Sequence, residues 1–226
     1  MTPATVRCLA AEALGTGLLV ATIVGSGVMG ERLAGGNVAL ALLANALATG
    51  AMLYVLVTVL APISGAHLNP AVSLVFALRG ELGWRLLGGF VVVQCAAAVG
   101  GAWLAHAMFE LPLFATATKV RTGAAQALSE VVATAGLVLA ILGCLRARPA
   151  AVAPVVACYI VAAYCFTAST SFANPAVTLA RALSDTFAGI RPRDAVPFIA
   201  AQLAGALLAA VVVRWLFGPG VGARGR

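Results

Sequence analysis

The sequence predicts an all-α membrane protein in which six transmembrane helices and two half-membrane helices form an inverted repeat. The composition is the first observation: 62% of residues are hydrophobic, only 9% are charged, and the mean hydropathy is +1.05. Soluble domains carry about a quarter charged residues. The second observation is six apolar runs long enough to cross a hydrocarbon core of ~30 Å. The third is a pair of Asn-Pro-Ala motifs at matching places in the two halves of the chain.

The composition argues against a soluble enzyme and against a nucleic-acid binder. The net charge is +7, but the 14 Lys and Arg residues are scattered in ones and twos and form no binding patch. The five cysteines are odd in number, which favours packed thiols over a disulfide framework or a metal site. We therefore expect a multi-pass protein of the lipid bilayer with no catalytic residues, no cofactor, no metal and no nucleic-acid partner.

The predicted spans follow the apolar runs, and the breaks between them carry Gly, Pro and charged residues. The first run contains Glu12 and lacks a convincing cleavage site, so we interpret it as a membrane helix and not as a signal peptide. Two further apolar pieces, at about 61–78 and 169–183, are interrupted by the Asn-Pro-Ala motifs and are too short to span. The six spans lie at about 8–29, 38–60, 86–107, 124–145, 150–168 and 195–217.

The two halves of the chain are copies of one unit. Three paired segments recur in the same order: SGAHLNPAVSL and STSFANPAVTL, Glu12-x-x-x-Thr16 and Glu130-x-x-x-Thr134, and Phe90-x-x-x-Gln94 and Phe198-x-x-x-Gln202. Each unit has three full spans, so the second unit must be inverted relative to the first, an arrangement that places the functional site at the midplane. We assign 1–226 to a single domain, with repeats at about 6–107 and 124–217.

The Asn-Pro-Ala motifs predict the starts of the two half-helices. Asparagine is a favoured N-cap and proline suits the first helical position, so one half-helix begins at Asn69-Pro70-Ala71 and the other at Asn174-Pro175-Ala176. About ten apolar residues, or ~15 Å of helix, cover half of the membrane. Two N-termini that meet at the centre bring unpaired N–H groups and partial positive charge, which repel cations while the asparagine amides donate to neutral solutes. The pattern is typical of a passive pore for small uncharged molecules.

Several polar residues accompany the motifs and have alternative interpretations. Glu12 and Glu130 lie within spans, where charge is expensive; we expect them to accept hydrogen bonds from the backbone leading into each half-helix, with a proton relay as the alternative. His67 is expected to hydrogen-bond in the inner half of the pore, with a pH gate as the alternative. Arg181 and Asp185 are expected to form an exposed helix-end pair, the alternative being that Arg181 attracts anions at the outer mouth.

Packing residues are also predicted. Asn45 lies four residues before Thr49 and either faces the same lumen or bonds a neighbouring helix. Small residues allow helix backbones to approach closely in membranes. We expect this role for Gly15, Gly17, Gly100, Gly101 and Gly205.

On SGAHLNPAV, ANPAV and the paired Glu and Gln residues, the chain resembles the aquaporin and aquaglyceroporin (major intrinsic protein) family over nearly its whole length. The resemblance implies an aquaporin-like fold, a homotetramer of four independent pores and cytoplasmic termini. It also implies a selectivity filter, which by spacing from the motifs consists of Thr49, Ala162, Ser171 and Val177. Family members usually have arginine at the last position and aromatic residues at one or two others, and here neither is expected.

An arginine-free filter of small residues predicts a wide and weakly selective pore. Water, polyols and hydroxylated metalloids should pass, with cation exclusion resting on the half-helix dipoles. The segments TASTSFANPAV and LPLFATATKVRTG are similar to the aquaglyceroporins found with bacterial arsenic-resistance genes. That resemblance implies arsenite and methylated arsenicals as solutes and a bacterial inner membrane as the location. The alternatives are an orthodox water and glycerol facilitator and, from another class, a secondary active transporter.

Overall fold

The computed structural model describes residues 1–218, so the last eight positions of the predicted domain lie outside the described residues. Within that range every regular element is helical, and six helices are long and apolar enough to cross a membrane. The fold class predicted from the sequence is therefore confirmed. The α-helices are α1 (Pro3–Leu33), α2 (Val38–Ser64), α3 (Pro70–Leu78), α4 (Trp84–Met108), α5 (Ala124–Ala147), α6 (Val152–Phe166), α7 (Pro175–Arg181) and α8 (Pro192–Phe217). A 3₁₀ turn, Pro149–Ala151, leads into α6.

Two long helices extend past the apolar runs that predicted them. Helix α1 begins at Pro3, where the Thr2 side chain accepts a hydrogen bond from the N–H of Thr5. Helix α2 continues to Ser64 and ends where Gly65 adopts a left-handed φ of 89°. Hydropathy reports which residues contact lipid, whereas capping groups decide where a helix ends. The helices are therefore longer than the predicted spans.

The half-helices start where the sequence predicts and are slightly shorter than predicted. Helix α3 has nine residues and α7 has seven, against the expected ten. The Asn69 side chain accepts a hydrogen bond from the N–H of Ala71 at 2.9 Å. The Asn174 side chain accepts from the N–H groups of Ala176 at 3.0 Å and Val177 at 3.3 Å. Each asparagine thus satisfies N–H groups that have no partner inside the helix.

The long helices pack as two matching sets. In the first half α1 packs against α2 and α4, and in the second α5 packs against α6 and α8. Glycines allow the closest approaches: a side chain at Gly101 would overlap the carbonyl oxygen of Gly17, and one at Gly205 would overlap that of Val131. Gly100 faces open space, so its predicted packing role is wrong. Its neighbour Gly101 is the residue that faces α1.

Candidate functional site: a central cavity between two half-helices

The N-termini of α3 and α7 meet in the middle of the molecule. The Asn69 Nδ2 donates to the carbonyl oxygen of Ala173 at 2.7 Å, and the Asn174 Nδ2 donates to that of Leu68 at 2.8 Å. Each asparagine therefore caps its own half-helix and also binds the loop of the other half. An amide nitrogen has two hydrogens and this exchange uses one of them, so a second donor is available to a solute.

The loops before the two asparagines share an uncommon backbone conformation. Residues four, three and one positions before each asparagine have positive φ, between 47° and 89°. They are Gly65, Ala66 and Leu68 in the first loop and Thr170, Ser171 and Ala173 in the second. Five of these six are not glycine, and a left-handed L-residue costs roughly 1–2 kcal/mol. Such conformations persist only where the surrounding groups hold them.

The two buried glutamates bind these loops. Glu12 accepts hydrogen bonds from the N–H groups of His67 at 2.9 Å and Leu68 at 2.7 Å. Glu130 accepts from those of Phe172 and Ala173, both at 2.9 Å. Both carboxylates are fully buried. They accept hydrogen bonds from backbone N–H groups and do not line an open path for protons.

The paired glutamines complete the same network. Gln94 donates from Nε2 to Glu12 at 2.8 Å and to the hydroxyl of Ser73 at 3.1 Å. In the other half, Gln202 donates to Glu130 at 2.6 Å and to the hydroxyl of Thr178 at 2.8 Å. The sequence marked the glutamines as a repeated pair without a role. Each of them ties a loop-binding glutamate to its half-helix.

A central cavity of about 450 Å³ runs along the meeting point of the half-helices. One part of its wall is apolar and includes side chains of α1, α2, α5 and α6, such as Ile23, Leu53, Ile141 and Ile160. The polar side chains in its wall are those of Thr49, Thr58, His67, Asn69, Tyr164, Ser171 and Asn174. A wall with one apolar and one polar part suits solutes that have a carbon skeleton and hydroxyl groups.

His67 is one of the residues that line this cavity. Its Nδ1 lies 3.1 Å from the hydroxyl of Ser73, and its ring centroid lies 4.4 Å from that of Phe76, with the two ring planes tilted by 37°. The ring of Phe90 contacts it edge-on at 5.5 Å. The histidine is thus held in place by α3 and α4.

Three of the four predicted filter residues line the cavity: Thr49, Ser171 and Val177. Ala162 does not, and this part of the prediction is wrong. The cavity-facing residues of α6 follow a helical stripe through Val156, Ile160 and Tyr164, and Ala162 is exposed on the opposite side of that helix. Counting back from the second asparagine selected a position on the wrong face.

Tyr164 is the residue that sequence reasoning missed. It is only 3% exposed, lines the cavity, and its hydroxyl lies 3.4 Å from the hydroxyl of Thr49. An aromatic residue therefore lines the cavity beside Thr49, where only small side chains were expected from the sequence. The stripe on α6 could have revealed Tyr164, because it lies four residues after Ile160 and one helical turn is 3.6 residues.

Asn45 and Arg181 are also placed by the structure. Asn45 donates to the carbonyl oxygen of Ile23 at 2.8 Å and to Ser26 at 2.9 Å, so it bonds the neighbouring helix α1. Arg181 is buried, and the exposed Arg181–Asp185 pair expected from the sequence does not form. The Asp185 carboxylate instead accepts from the backbone and the hydroxyl of Thr118, both at 2.9 Å.

Known proteins are similar to this chain in sequence and in fold. The chain matches the Major intrinsic protein family over residues 1–170 and 146–225. It is 58% identical to the aquaglyceroporin AqpS of Rhizobium meliloti over 213 residues, which is 94% of this chain and 91% of that protein. It is 32% identical to a probable glycerol uptake facilitator protein of Thermotoga maritima, over 36% of this chain and 40% of that protein.

Among solved structures, the aquaglyceroporin of Plasmodium falciparum has the same fold. Its TM-score is 0.75 at 21% identity, covering 95% of this chain and 98% of that chain. The fold, the paired half-helices and the match over both repeats lead to one assignment. The chain is a multi-pass membrane protein and belongs to the major intrinsic protein family, whose aquaglyceroporin members are channels and not enzymes.

Proposed function

We propose that this protein is a passive channel for small neutral solutes, with water, glycerol-like polyols and hydroxylated metalloids passing through an arginine-free constriction. The observation that carries the proposal is Val177. It lies in the cavity wall and is 2% exposed, at the position where family members usually have arginine. A valine neither narrows the lumen nor donates hydrogen bonds, so solutes bulkier than water have room to pass.

Arsenite and methylated arsenicals are part of the same proposal. Arsenous acid is uncharged at neutral pH and has three hydroxyl groups, so it presents to the pore the same hydrogen-bonding groups as a small polyol. Thr49 and Ser171 offer hydroxyls, and the asparagines Asn69 and Asn174 offer amide donors along the cavity. The apolar part of the wall can contact a methyl group on the arsenic atom.

The location and assembly belong to the proposal as well. We propose the inner membrane of a bacterium, which is supported by the bacterial relative AqpS. A homotetramer of one-domain subunits is proposed on the family resemblance. The solutes would be the only small-molecule partners, and the lipid bilayer would cover the exposed apolar faces.

A solute panel tests the channel mechanism. Purified protein in proteoliposomes is given water, glycerol, arsenite and methylated arsenicals in neutral and anionic forms. We expect fluxes of the neutral solutes that rise linearly with concentration and do not depend on an ion gradient. Saturation at low concentration together with dependence on an ion gradient would favour a secondary active transporter and contradict the proposal.

Val177→Arg tests the role of the missing arginine. The guanidinium should narrow the lumen, so glycerol and arsenite flux should fall about tenfold, equivalent to ~1.4 kcal/mol of barrier, while water flux falls much less. Val177→Leu is the matched control, because it adds volume without charge or donors. Stopped-flow light scattering of proteoliposomes measures both fluxes. An equal loss of water and glycerol flux in a folded Val177→Arg variant would contradict the filter assignment.

A further inference from the structure

Arg181 is a buried charge beside the proposed constriction. It is the last residue of α7, four residues beyond Val177 and thus about 6 Å farther along the helix axis. The residue is 1% exposed. In the described part of the chain its guanidinium donates one hydrogen bond, from Nε to the carbonyl oxygen of Ala188, and its Nη1 is buried without a partner.

The ring of Phe172 holds this guanidinium next to the lumen. The Cζ of Arg181 lies 3.3 Å from the centre of the Phe172 ring. Phe172 itself lines the central cavity and directly follows Ser171. The attraction between a guanidinium and an aromatic face is strongest where both are removed from water. Arg181 itself does not line the cavity, whereas Phe172 and Val177 do, so the charge lies behind the cavity wall and not inside the lumen.

A second guanidinium lies against the same ring. The Cζ of Arg121 is 5.0 Å from the centre of the Phe172 ring. Its Nε and Nη1 donate to the carbonyl oxygens of Gly189 at 2.9 Å and Ser169 at 3.1 Å. Both arginines thus bind carbonyl oxygens and an aromatic ring, which leave their full positive charge in place.

Among residues 1–218 no carboxylate forms an ion pair with either arginine. Glu130, whose negative charge acts on both of them, already accepts hydrogen bonds from two backbone N–H groups and from Gln202. The ion pairs in that range are Arg79–Glu81 and Arg191–Asp194. Two buried guanidinium groups near one carboxylate leave a net positive charge, and buried charge within a membrane protein is expensive and commonly marks a functional site. Because its surroundings are largely free of water and salt, its field reaches farther than that of a surface charge.

We propose that Arg181, supported by Arg121, is a specificity-determining residue that excludes cations from this pore. It supplies from behind Phe172 the positive potential that Val177 does not supply in the lumen. The positive potential and the width of the pore are thus set by different residues. The potential of Arg181 repels Na⁺ and K⁺, while the lumen beside Val177 stays wide for neutral solutes. The inference rests on the proposed function and adds to it the residue that keeps a wide pore closed to cations.

Removing the charge tests this inference. Arg181→Met keeps an unbranched side chain on Phe172, and Arg181→Gln keeps a polar one. In proteoliposomes we expect the K⁺ permeability of both variants to rise about tenfold or more relative to glycerol permeability, with glycerol flux within about twofold of wild type. Arg181→Lys, which keeps the charge, should remain closed to K⁺. Arg193→Gln is the matched control, because it removes an exposed arginine at the start of α8.

Several results would overturn the inference. One is an unchanged K⁺ permeability in Arg181→Met. Another is a K⁺ leak in Arg181→Lys equal to that in Arg181→Met, because this would mean that Arg181 only anchors the loop that contains Ala188. If neither Arg181→Met nor Arg181→Gln folds, Thr170→Asp is the substitute test, because it places a carboxylate near Arg121. This variant should show the same increase in K⁺ permeability, and a Thr170→Asp pore that stays closed to K⁺ overturns the inference. A wild type without glycerol flux overturns the proposed function first, whereas normal glycerol flux without the leak overturns only the role of Arg181.

Discussion

The buried carboxylates of Glu12 and Glu130 fix the backbone that leads to the pore centre. Each accepts two N–H groups from a loop with three residues at positive φ. Hydrogen bonds to an ionised acceptor are roughly twice as strong as neutral ones. The glutamates therefore balance the strain of the loops, and the loops in turn position the capping asparagines.

Glu130→Gln should destabilise the protein by about 2–3 kcal/mol. The new amide nitrogen is a donor where the carboxylate accepted hydrogen bonds, so at least one of the Phe172, Ala173 and Gln202 donors is left buried and unpaired. The expected fall in Tm is about 5–10 °C for a chain of this size. Thermal unfolding of the detergent-solubilised protein measures it. Glu31→Gln is the control, since Glu31 is exposed, and equal Tm values for the two variants would contradict the role of Glu130.

Predictions for single residues failed where they depended on local helix geometry. Asp185 lies four residues after Arg181, which in a continuous helix would make them neighbours. Helix α7 ends at Arg181, so that geometry does not exist and Asp185 binds Thr118 instead. Ala162 failed for a related reason, since spacing along the sequence ignores which face of α6 meets the cavity. The Asn-Pro caps were predicted correctly, because a cap depends only on residues that are adjacent in the sequence.

The helices as elements were predictable in number and type because membrane crossing and capping leave strong signals. Six apolar runs gave six long helices, and two Asn-Pro motifs gave the starts of α3 and α7. The ends were less predictable. Helix α2 runs to Ser64 because Gly65 provides a left-handed C-cap, a signal that lies outside the apolar pattern.

The contact between α1 and α4 can be tested with two adjacent glycines of α4, Gly100 and Gly101, of which only Gly101 packs against α1. Gly101→Ala should destabilise the protein by about 1–3 kcal/mol, because the new methyl group would overlap the Gly17 carbonyl oxygen and push the helices apart. Gly100→Ala should be neutral or stabilising by up to about 1 kcal/mol, because its methyl group meets open space and alanine favours the helix. Thermal unfolding of both variants in one detergent measures the difference. Equal Tm values would show that this helix contact can relax.

The whole molecule has a symmetric scaffold with an asymmetric distribution of charge. Both halves share the same caps, loops and Glu–Gln network. The first half adds His67 and Ser64 to this network, whereas Lys119 and Arg121 in the α4–α5 linker come close to Arg181 of the second half. Sequence periodicity revealed the scaffold, because the repeat preserves residue types. It did not reveal the basic cluster formed by Lys119, Arg121 and Arg181, because these residues come together only in the folded chain.

Lys119 makes this cluster sensitive to pH. It is the only lysine of the chain, and its Nζ donates to the carbonyl oxygen of Phe187 at 2.8 Å. Partial desolvation, and then the charges of Arg121 and Arg181, lower the pKa of Lys119 to about 8, against an opposing effect of Glu31. The ordinary value for an unfolded chain is 10.5. Between these two values the folded protein binds fewer protons than the unfolded chain, so stability should rise with pH.

Lys119→Gln should remove this rise. Below about pH 8 the wild type carries a repulsive charge in the cluster; above that pH the charge is progressively lost, and the gain is complete near pH 10.5. We therefore expect the Tm of the wild type, relative to Lys119→Gln, to increase between pH 7 and pH 9.5, by up to about 3 °C because solvent screens a partly exposed group. Thermal unfolding of both proteins across that range measures the difference, and other groups that titrate there cancel between the two. Parallel Tm curves would mean that Lys119 keeps its ordinary pKa, and a falling difference would mean that its charge stabilises the linker.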